Sequence, residues 1–154
     1  MVTLLFSLTA LFSTAQNLDL SQLKSYLNQP VLTVSDSLTK NKWTVRPELS
    51  GIQAHQMYQT FSFGNQQDEQ AKALAWLRIH ADHNIVNQLY YQLPNIEQYN
   101  LVLKEIKETG TEKKGVQNIE DNQINTYYLS ADYTFQTITG ANSYTIMVMT
   151  NKQP

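Results

Sequence analysis

The stretch that decides the fold is ALAWLRIHADHNIVNQLYYQLPNIEQYNLVLKEIKETG, which covers residues 73–110. Its first run, 73–80, alternates small or aliphatic side chains with larger polar and aromatic ones, which is the period of a strand. A second run, 85–93, is rich in Val, Ile and Tyr, and the residues 81–84 between the runs predict a turn. The sequence therefore predicts two neighbouring strands that are joined by a short connection.

The end of the same stretch predicts a helix. Asn95 is a preferred N-cap residue, and Gln98 stands three positions later, as in a capping box. Gly110 follows at the position where many helices end. One face of the helix carries an apolar stripe of five residues: Ile96, Tyr99, Val102, Leu103 and Ile106.

A second helical segment precedes the strands. Its apolar residues recur three or four positions apart, and they are Leu20, Leu23, Leu27, Val31, Val34 and Leu38. Asp19 can cap its start, and Pro30 predicts a kink or two short helices that meet at residues 28–30. Asn41 is expected to end the segment in a left-handed conformation.

The remaining strands complete an α+β fold. We expect strands at Trp43–Arg46 and Gln56–Phe63, a loop over 48–55, a turn from Gly64 to Asp68, and strands near 114–119, 124–137 and 143–150. Short connections predict a mostly antiparallel sheet with two helical segments packed on one face. The order of elements suggests a degenerate duplication of a helix-plus-three-strand unit, with repeats near 18–93 and 94–151.

Several diffuse motifs along the chain carry a family resemblance. They are Ala15-Gln16-Asn17, Lys42-Trp43, Ala73-x-Ala75-Trp76-Leu77 and Tyr90-Tyr91. With these motifs, the chain resembles small exported proteins of unknown function from Bacteroidota. The helix-and-sheet duplication also resembles beta-lactamase-inhibitor-type modules and outer-membrane-assembly lipoprotein modules, an analogy at the level of the fold. The missing cysteine departs from the lipoprotein group.

Residues 1–16, MVTLLFSLTALFSTAQ, look like a signal peptide, so the single α+β domain is expected to span 17–154. The run is uncharged, is too short to span a bilayer, and ends in small residues. We therefore expect export to the periplasm or the extracellular space. Because the basic residues that usually precede such a run are missing, we also expect a start codon upstream of Met1. The alternative is a buried N-terminal element of a cytosolic protein.

Composition excludes several classes of function. The net charge is −2 without a basic block, so nucleic acid is not an expected partner, and Lys40, Lys42 and Arg46 are interpreted as a solvated face. The mature chain has no second long apolar segment and hence no expected transmembrane span. The absence of cysteine excludes a lipid-anchored N-terminal Cys, disulfides, thiolate catalysis and Cys-ligated metals. No cofactor is expected, because the five isolated glycines form neither a phosphate loop nor a dinucleotide fingerprint.

The residues His80, Asp82 and His83 form the only cluster that looks like a site for chemistry. Two imidazoles and a carboxylate can ligate a divalent metal, although their spacing is not that of a helical zinc motif. No catalytic residue and no metal site is assigned on this basis. A small metal-dependent or other hydrolase centred on His80 and His83 is therefore the alternative function.

The preferred function is binding, with Trp76, Arg78, His80 and Tyr90 as candidate contact residues. Arg78 and His80 lie on the same side of their strand as Trp76, and the length of the connection decides whether Tyr90 joins them. For Trp76 itself, the preferred interpretation is a position in the core. If its side chain instead faces outward, Trp76 and Arg78 together resemble the anchor residues of an interface. We expect an exported, non-enzymatic domain that binds a protein or a cell-envelope component through the free sheet face. A further alternative is an immunity or inhibitor protein.

Overall fold

The computed structural model describes residues 17–64, 73–109, 112–114, 119–120 and 123–152. The predicted signal peptide, most of the turn after Gly64, and Gly110 lie outside the described residues. The described helices are α1 (Leu20–Tyr26), α2 (Val31–Lys40) and α3 (Ile96–Glu108), with one 3-10 turn at Pro47–Leu49. The longest of them, α3, has 13 residues, and no described helix is long and apolar enough to cross a membrane.

The strands form one sheet in which every described pairing is antiparallel. Their bounds are β1 (Thr44–Val45), β2 (Gly51–Gln53), β3 (Gln56–Phe63), β4 (Ala75–Asp82), β5 (Ile85–Leu93), β6 (Glu112–Lys114), β7 (Ile119–Glu120), β8 (Gln123–Leu129), β9 (Tyr133–Thr139) and β10 (Tyr144–Thr150). The order across the sheet is β1-β3-β4-β5-β10-β9-β8-β6, while β2 also pairs with β3 and β7 also pairs with β8. This confirms the predicted α+β fold and its antiparallel sheet.

The two halves of the chain have the same order of elements. Each half starts with a helical segment, continues with two short strands, and ends with three long strands. The last strands of the two halves, β5 and β10, pair with each other in the middle of the sheet, where Ile146 lies opposite Tyr91. The three long strands of each half fit a helix-plus-three-strand unit, and of the short strands only β2 lies where no strand was predicted.

The helices pack on one face of the sheet because their apolar stripes need cover from water. Leu23 of α1, Leu38 of α2 and Ile106 of α3 are fully buried. They belong to one core cluster with the sheet residues that point to the same side, including Leu77, Ile79, Leu89, Tyr91, Ile146 and Val148. Tyr99 of α3 contacts Tyr144 of β10 with ring centroids 5.5 Å apart. The opposite face of the sheet carries none of these helices.

Local signals in the sequence explain where the helices begin. The Asp19 carboxylate accepts from the Gln22 amide at 2.7 Å, and the Gln22 side chain accepts from the Asp19 amide, which completes a capping box. The predicted break at residues 28–30 is confirmed, since Pro30 separates α1 from α2. For α3, the side chain of Asn95 accepts from the Gln98 amide at 3.0 Å, as predicted. The reciprocal half of the predicted capping box is missing, because the side-chain oxygen of Gln98 has no hydrogen-bond partner among the described residues.

Five local predictions were wrong. The strand predicted at 73–80 is Ala75–Asp82, so the turn predicted over 81–84 consists of His83 and Asn84 only. The span 124–137 is two strands, because Ser130, Ala131 and Asp132 turn the chain between β8 and β9. The span 48–55 is not all loop, because β2 forms a hairpin with β3. The first strand is only Thr44–Val45, since Arg46 leads into the 3-10 turn. The left-handed residue after α2 is Lys42, with φ 65°, and not Asn41.

Candidate functional site

The free face of the sheet brings together all four predicted contact residues. Trp76, Arg78 and His80 point to this face from β4, and Tyr90 joins them because it pairs directly with Arg78. The alternating residues of β4, such as Leu77, are buried against the helices. The preferred placement of Trp76 in the core was therefore wrong: its side chain is half-buried on the face that the helices leave open.

A bulge in β5 explains why Tyr90, and not Tyr91, lies on the free face. The turn between β4 and β5 consists of His83 and Asn84, both with positive φ, and an uninterrupted ladder from such a two-residue turn would place Tyr91 opposite Trp76. Instead, Ala81 pairs with Val86 while His80 pairs with Gln88, so Asn87 is an extra residue. The bulge shifts the register by one position, and Tyr90 reaches the free face.

An aromatic row runs across the free face from β3 to β5. The His80 ring stacks on the Tyr58 ring, with centroids 5.8 Å apart, and contacts the Tyr90 ring at 5.2 Å. The Arg78 guanidinium lies over the Tyr58 ring, 5.1 Å from its centroid. Tyr58 in turn is close to Gly51 of β2, where a Cβ atom would come within 3.1 Å of the tyrosine hydroxyl oxygen.

Two arginines are held at this face by hydroxyl groups of β3. Arg46 Nε donates to Ser62 Oγ at 2.7 Å, and Arg78 Nε donates to Thr60 Oγ1 at 3.0 Å. Thr60 Oγ1 also donates to the Leu49 carbonyl at 2.6 Å. Both hydroxyl residues are buried, so the anchoring hydrogen bonds lie beneath the guanidinium groups rather than in open solvent.

Sequence analysis missed Arg46, Tyr58, Thr60 and Ser62 as members of this site. Arg46 was interpreted as part of a solvated face, but its guanidinium carbon lies 5.9 Å from the centroid of the Trp76 ring. The alternation of polar residues along β3 was the available signal, since strand residues at i and i+2 share a face. The pairing of β3 with β4, which the sequence did not supply, was needed to place them beside Trp76.

The site is concave. A groove of about 500 Å³ lies between the sheet face and the segment that contains the 3-10 turn and β2. Its described lining residues are Leu49, Gln53, Thr60, Trp76, Arg78, His80, Tyr90, Gln92 and Thr145. A volume of this size suits a small ligand or a short stretch of a larger one.

The described residues that line the groove carry either a positive charge or no charge. Arg46 Nη1 lies 3.9 Å from the exposed Glu48 carboxylate, which is a weak pairing in solvent. Arg78 forms no ion pair with a described carboxylate. Burial lowers the pKa of His80 below its ordinary value, and the charge of Arg78 lowers it further. Both effects favour the neutral form of His80, so the positive charge of the groove comes from the guanidinium groups.

The metal candidates do not form a centre among the described residues. His83 lies at the tip of the turn with its side chain 91 % exposed, and its Nε2 is 3.7 Å from an Asp82 carboxylate oxygen. His80 instead packs between the two tyrosines of the aromatic row. Within the described ranges, no three His, Asp or Glu side chains are grouped closely enough to hold a metal ion. The described geometry thus adds nothing to the hydrolase alternative.

Comparisons with protein-family models, with curated proteins and with solved structures found no match to this chain.

Proposed function

We propose that this chain is an exported, non-enzymatic binding domain that recognises a protein or a cell-envelope component through the free face of its sheet. The observation that carries the proposal is the cluster of Trp76, Arg78, His80 and Tyr90 around one groove, with Arg46 beside it. Tryptophan, tyrosine and arginine are the side chains that most often dominate binding energy at interfaces.

The anchoring of these side chains supports recognition rather than a purely structural role. Arg46 and Arg78 are each hydrogen-bonded through Nε and placed over an aromatic ring, so their rotamers are restrained before any ligand arrives. Ordering such long side chains on binding costs about 0.5–1.5 kcal/mol for each one. Because these side chains are already ordered, the free face loses less conformational entropy on binding and binds more tightly than a flexible face with the same contacts.

Export is proposed from the sequence of residues 1–16, which is uncharged and nearly continuously apolar up to Phe12. A partner in the periplasm or outside the cell is consistent with such a segment. The proposal therefore concerns a ligand that the chain meets after it leaves the cytoplasm.

The test is site-specific photo-crosslinking in cells that express the full chain. A photoreactive residue at Gln92, exposed on the free face, should give a discrete crosslinked product in the exported fraction, and Trp76→Ala should remove it. The control position is Asn100, which is exposed on α3. Equal products from both positions, or none from Gln92, would contradict the binding function. An intact mass that retains Met1 would contradict export.

A further inference from the structure

We infer that the ligand of the free face is an acidic polypeptide segment in extended conformation, with carboxylates on alternate residues that are bound by Arg46 and Arg78. This inference rests on the proposed binding function and specifies the chemistry of the partner.

The two arginines are arranged to receive anions. Each uses Nε for its hydroxyl anchor, which leaves the Nη groups of the guanidinium for another partner. Each guanidinium carbon also lies within about 6 Å of the centroid of an aromatic ring, 5.9 Å for Arg46 over Trp76 and 5.1 Å for Arg78 over Tyr58, which helps to hold it in place. Planar guanidinium groups match carboxylates in charge-assisted and often bidentate hydrogen bonds.

The spacing of the anchors selects an extended chain. Thr60 and Ser62 are two residues apart on the same face of β3, so the anchor points are about 7 Å apart along the strand. Alternate side chains of an extended peptide repeat with the same spacing. Two acidic residues at i and i+2 can therefore meet both guanidinium groups at once, whereas a compact single anion meets one.

The rest of the groove fits the residues between and beside the two acids. Trp76 and Tyr90 offer half-exposed aromatic surface, and Gln92 and Thr145 offer polar groups for a peptide backbone. The Glu48 carboxylate lies 3.9 Å from Arg46, but its side chain is 62 % exposed, so this ion pair is weak and a ligand carboxylate can compete with it. The charge of the face is thus complementary to an acidic segment.

The first measurement is isothermal titration of the chain with two synthetic peptides of the same composition. One carries glutamate at alternate positions separated by threonine, and the other carries the glutamates in one block at its end. We expect the alternating peptide to bind more tightly, and its affinity to fall as salt rises, because the contacts are ionic. Equal binding of the two peptides would overturn the inferred spacing. Binding of inorganic phosphate as tight as that of the alternating peptide would overturn the peptide ligand.

The variants assign the binding to the arginines. Arg46→Gln and Arg78→Gln should each weaken the alternating peptide about tenfold, the size of one lost charge-assisted hydrogen bond. Lys104→Gln, which removes an exposed cation on α3, should leave affinity unchanged. Arg78→Lys keeps the charge and loses the fork, so an intermediate loss is expected even if Arg78→Gln folds poorly. Unchanged affinity in both Arg78 variants would overturn the inference.

The two proposals fail differently. If Trp76→Ala abolishes the crosslinked product from Gln92 while Arg46→Gln and Arg78→Gln retain it, the face binds its partner but the acidic ligand is wrong. If the product is independent of Trp76 as well, the binding function itself is wrong.

Discussion

At the scale of single residues, Lys42 shows how one backbone conformation sets the position of a core side chain. Its amide donates to the Thr39 carbonyl at 3.0 Å, and the Trp43 amide donates to the Leu38 carbonyl at 3.1 Å. These two bonds form a Schellman motif, with Lys42 as the left-handed residue at φ 65°. The motif turns Trp43 into the core, where it is fully buried and contacts Phe63 and Tyr91.

The first prediction concerns the residue type at this position. A side chain in the left-handed region costs about 1–2 kcal/mol, part of which is offset by the greater freedom of glycine in the unfolded chain. Lys42→Gly should therefore raise the free energy of unfolding by about 1 kcal/mol, measured by urea denaturation. The matched control is Lys40→Gly in the last turn of α2, which should lower it by about 0.5–1 kcal/mol. Destabilisation by both substitutions would contradict this role of Lys42.

Single residues also mark the limit of prediction from sequence for the site. Trp76, Arg78 and His80 could be placed together because the period of a strand is local information. Thr60 and Ser62 could not be assigned as anchors, because their role depends on Arg78 of β4 and on Arg46, which follows β1. Such long-range pairings leave no local pattern that would reveal them.

At the scale of elements, β5 shows why its bounds could be predicted and its orientation could not. The predicted strand Ile85–Leu93 has the observed bounds, since β-branched and aromatic residues mark it clearly. Its pattern does not reveal the extra residue Asn87, although that residue decides which side chains reach the core. The carbonyl oxygen of the Asn87 side chain is buried without a hydrogen-bond partner among the described residues. The bulge therefore costs folding free energy, because it leaves a buried polar atom unpaired, and it also sets the register of β5 against β4.

The second prediction compares two changes in the length of β5. Deletion of Asn87 should be tolerated within about 1 kcal/mol, because Val86 and Gln88 then follow one another in a regular ladder with the same faces. Insertion of one alanine after Leu89 should cost more than about 3 kcal/mol, because it turns Tyr91 and Leu93 out of the core. Thermal and urea unfolding of both variants would measure this. Equal losses would contradict the assignment of Asn87 as the bulged residue.

At the scale of the whole molecule, the two halves meet through β5 and β10 in the middle of the sheet. Six residue pairs connect these strands, from Tyr144–Leu93 to Met149–Gln88. Helix α3 packs on both strands, and Glu105 of α3 accepts from the Leu20 amide of α1 at 2.9 Å. Each half alone would expose a long strand edge and part of the core, so each half needs the other for a complete fold.

The third prediction follows from this division. Fragments 17–93 and 94–154, produced separately, should lack a cooperative unfolding transition, and they should co-purify and regain it when mixed. The buried residue Ile146, which lies opposite Tyr91, provides the control: Ile146→Asp in the second fragment should abolish reassembly, because it buries an unpaired charge. Circular dichroism and size-exclusion chromatography would measure both. A cooperative transition in either fragment alone would contradict the prediction.

The short outer strands have a consequence for how this molecule can assemble. β1 and β2 lie one after the other along one edge of the sheet, and β6 and β7 lie along the other edge. None of these four strands is longer than three residues. A long, flat edge strand is a template to which identical chains can add further strands, whereas short, interrupted edge strands hinder this addition. The face of the sheet between these two edges that the helices leave uncovered is the free face described above. The short edge strands thus hinder stacking of identical chains into fibres, while the free face stays available for the proposed binding.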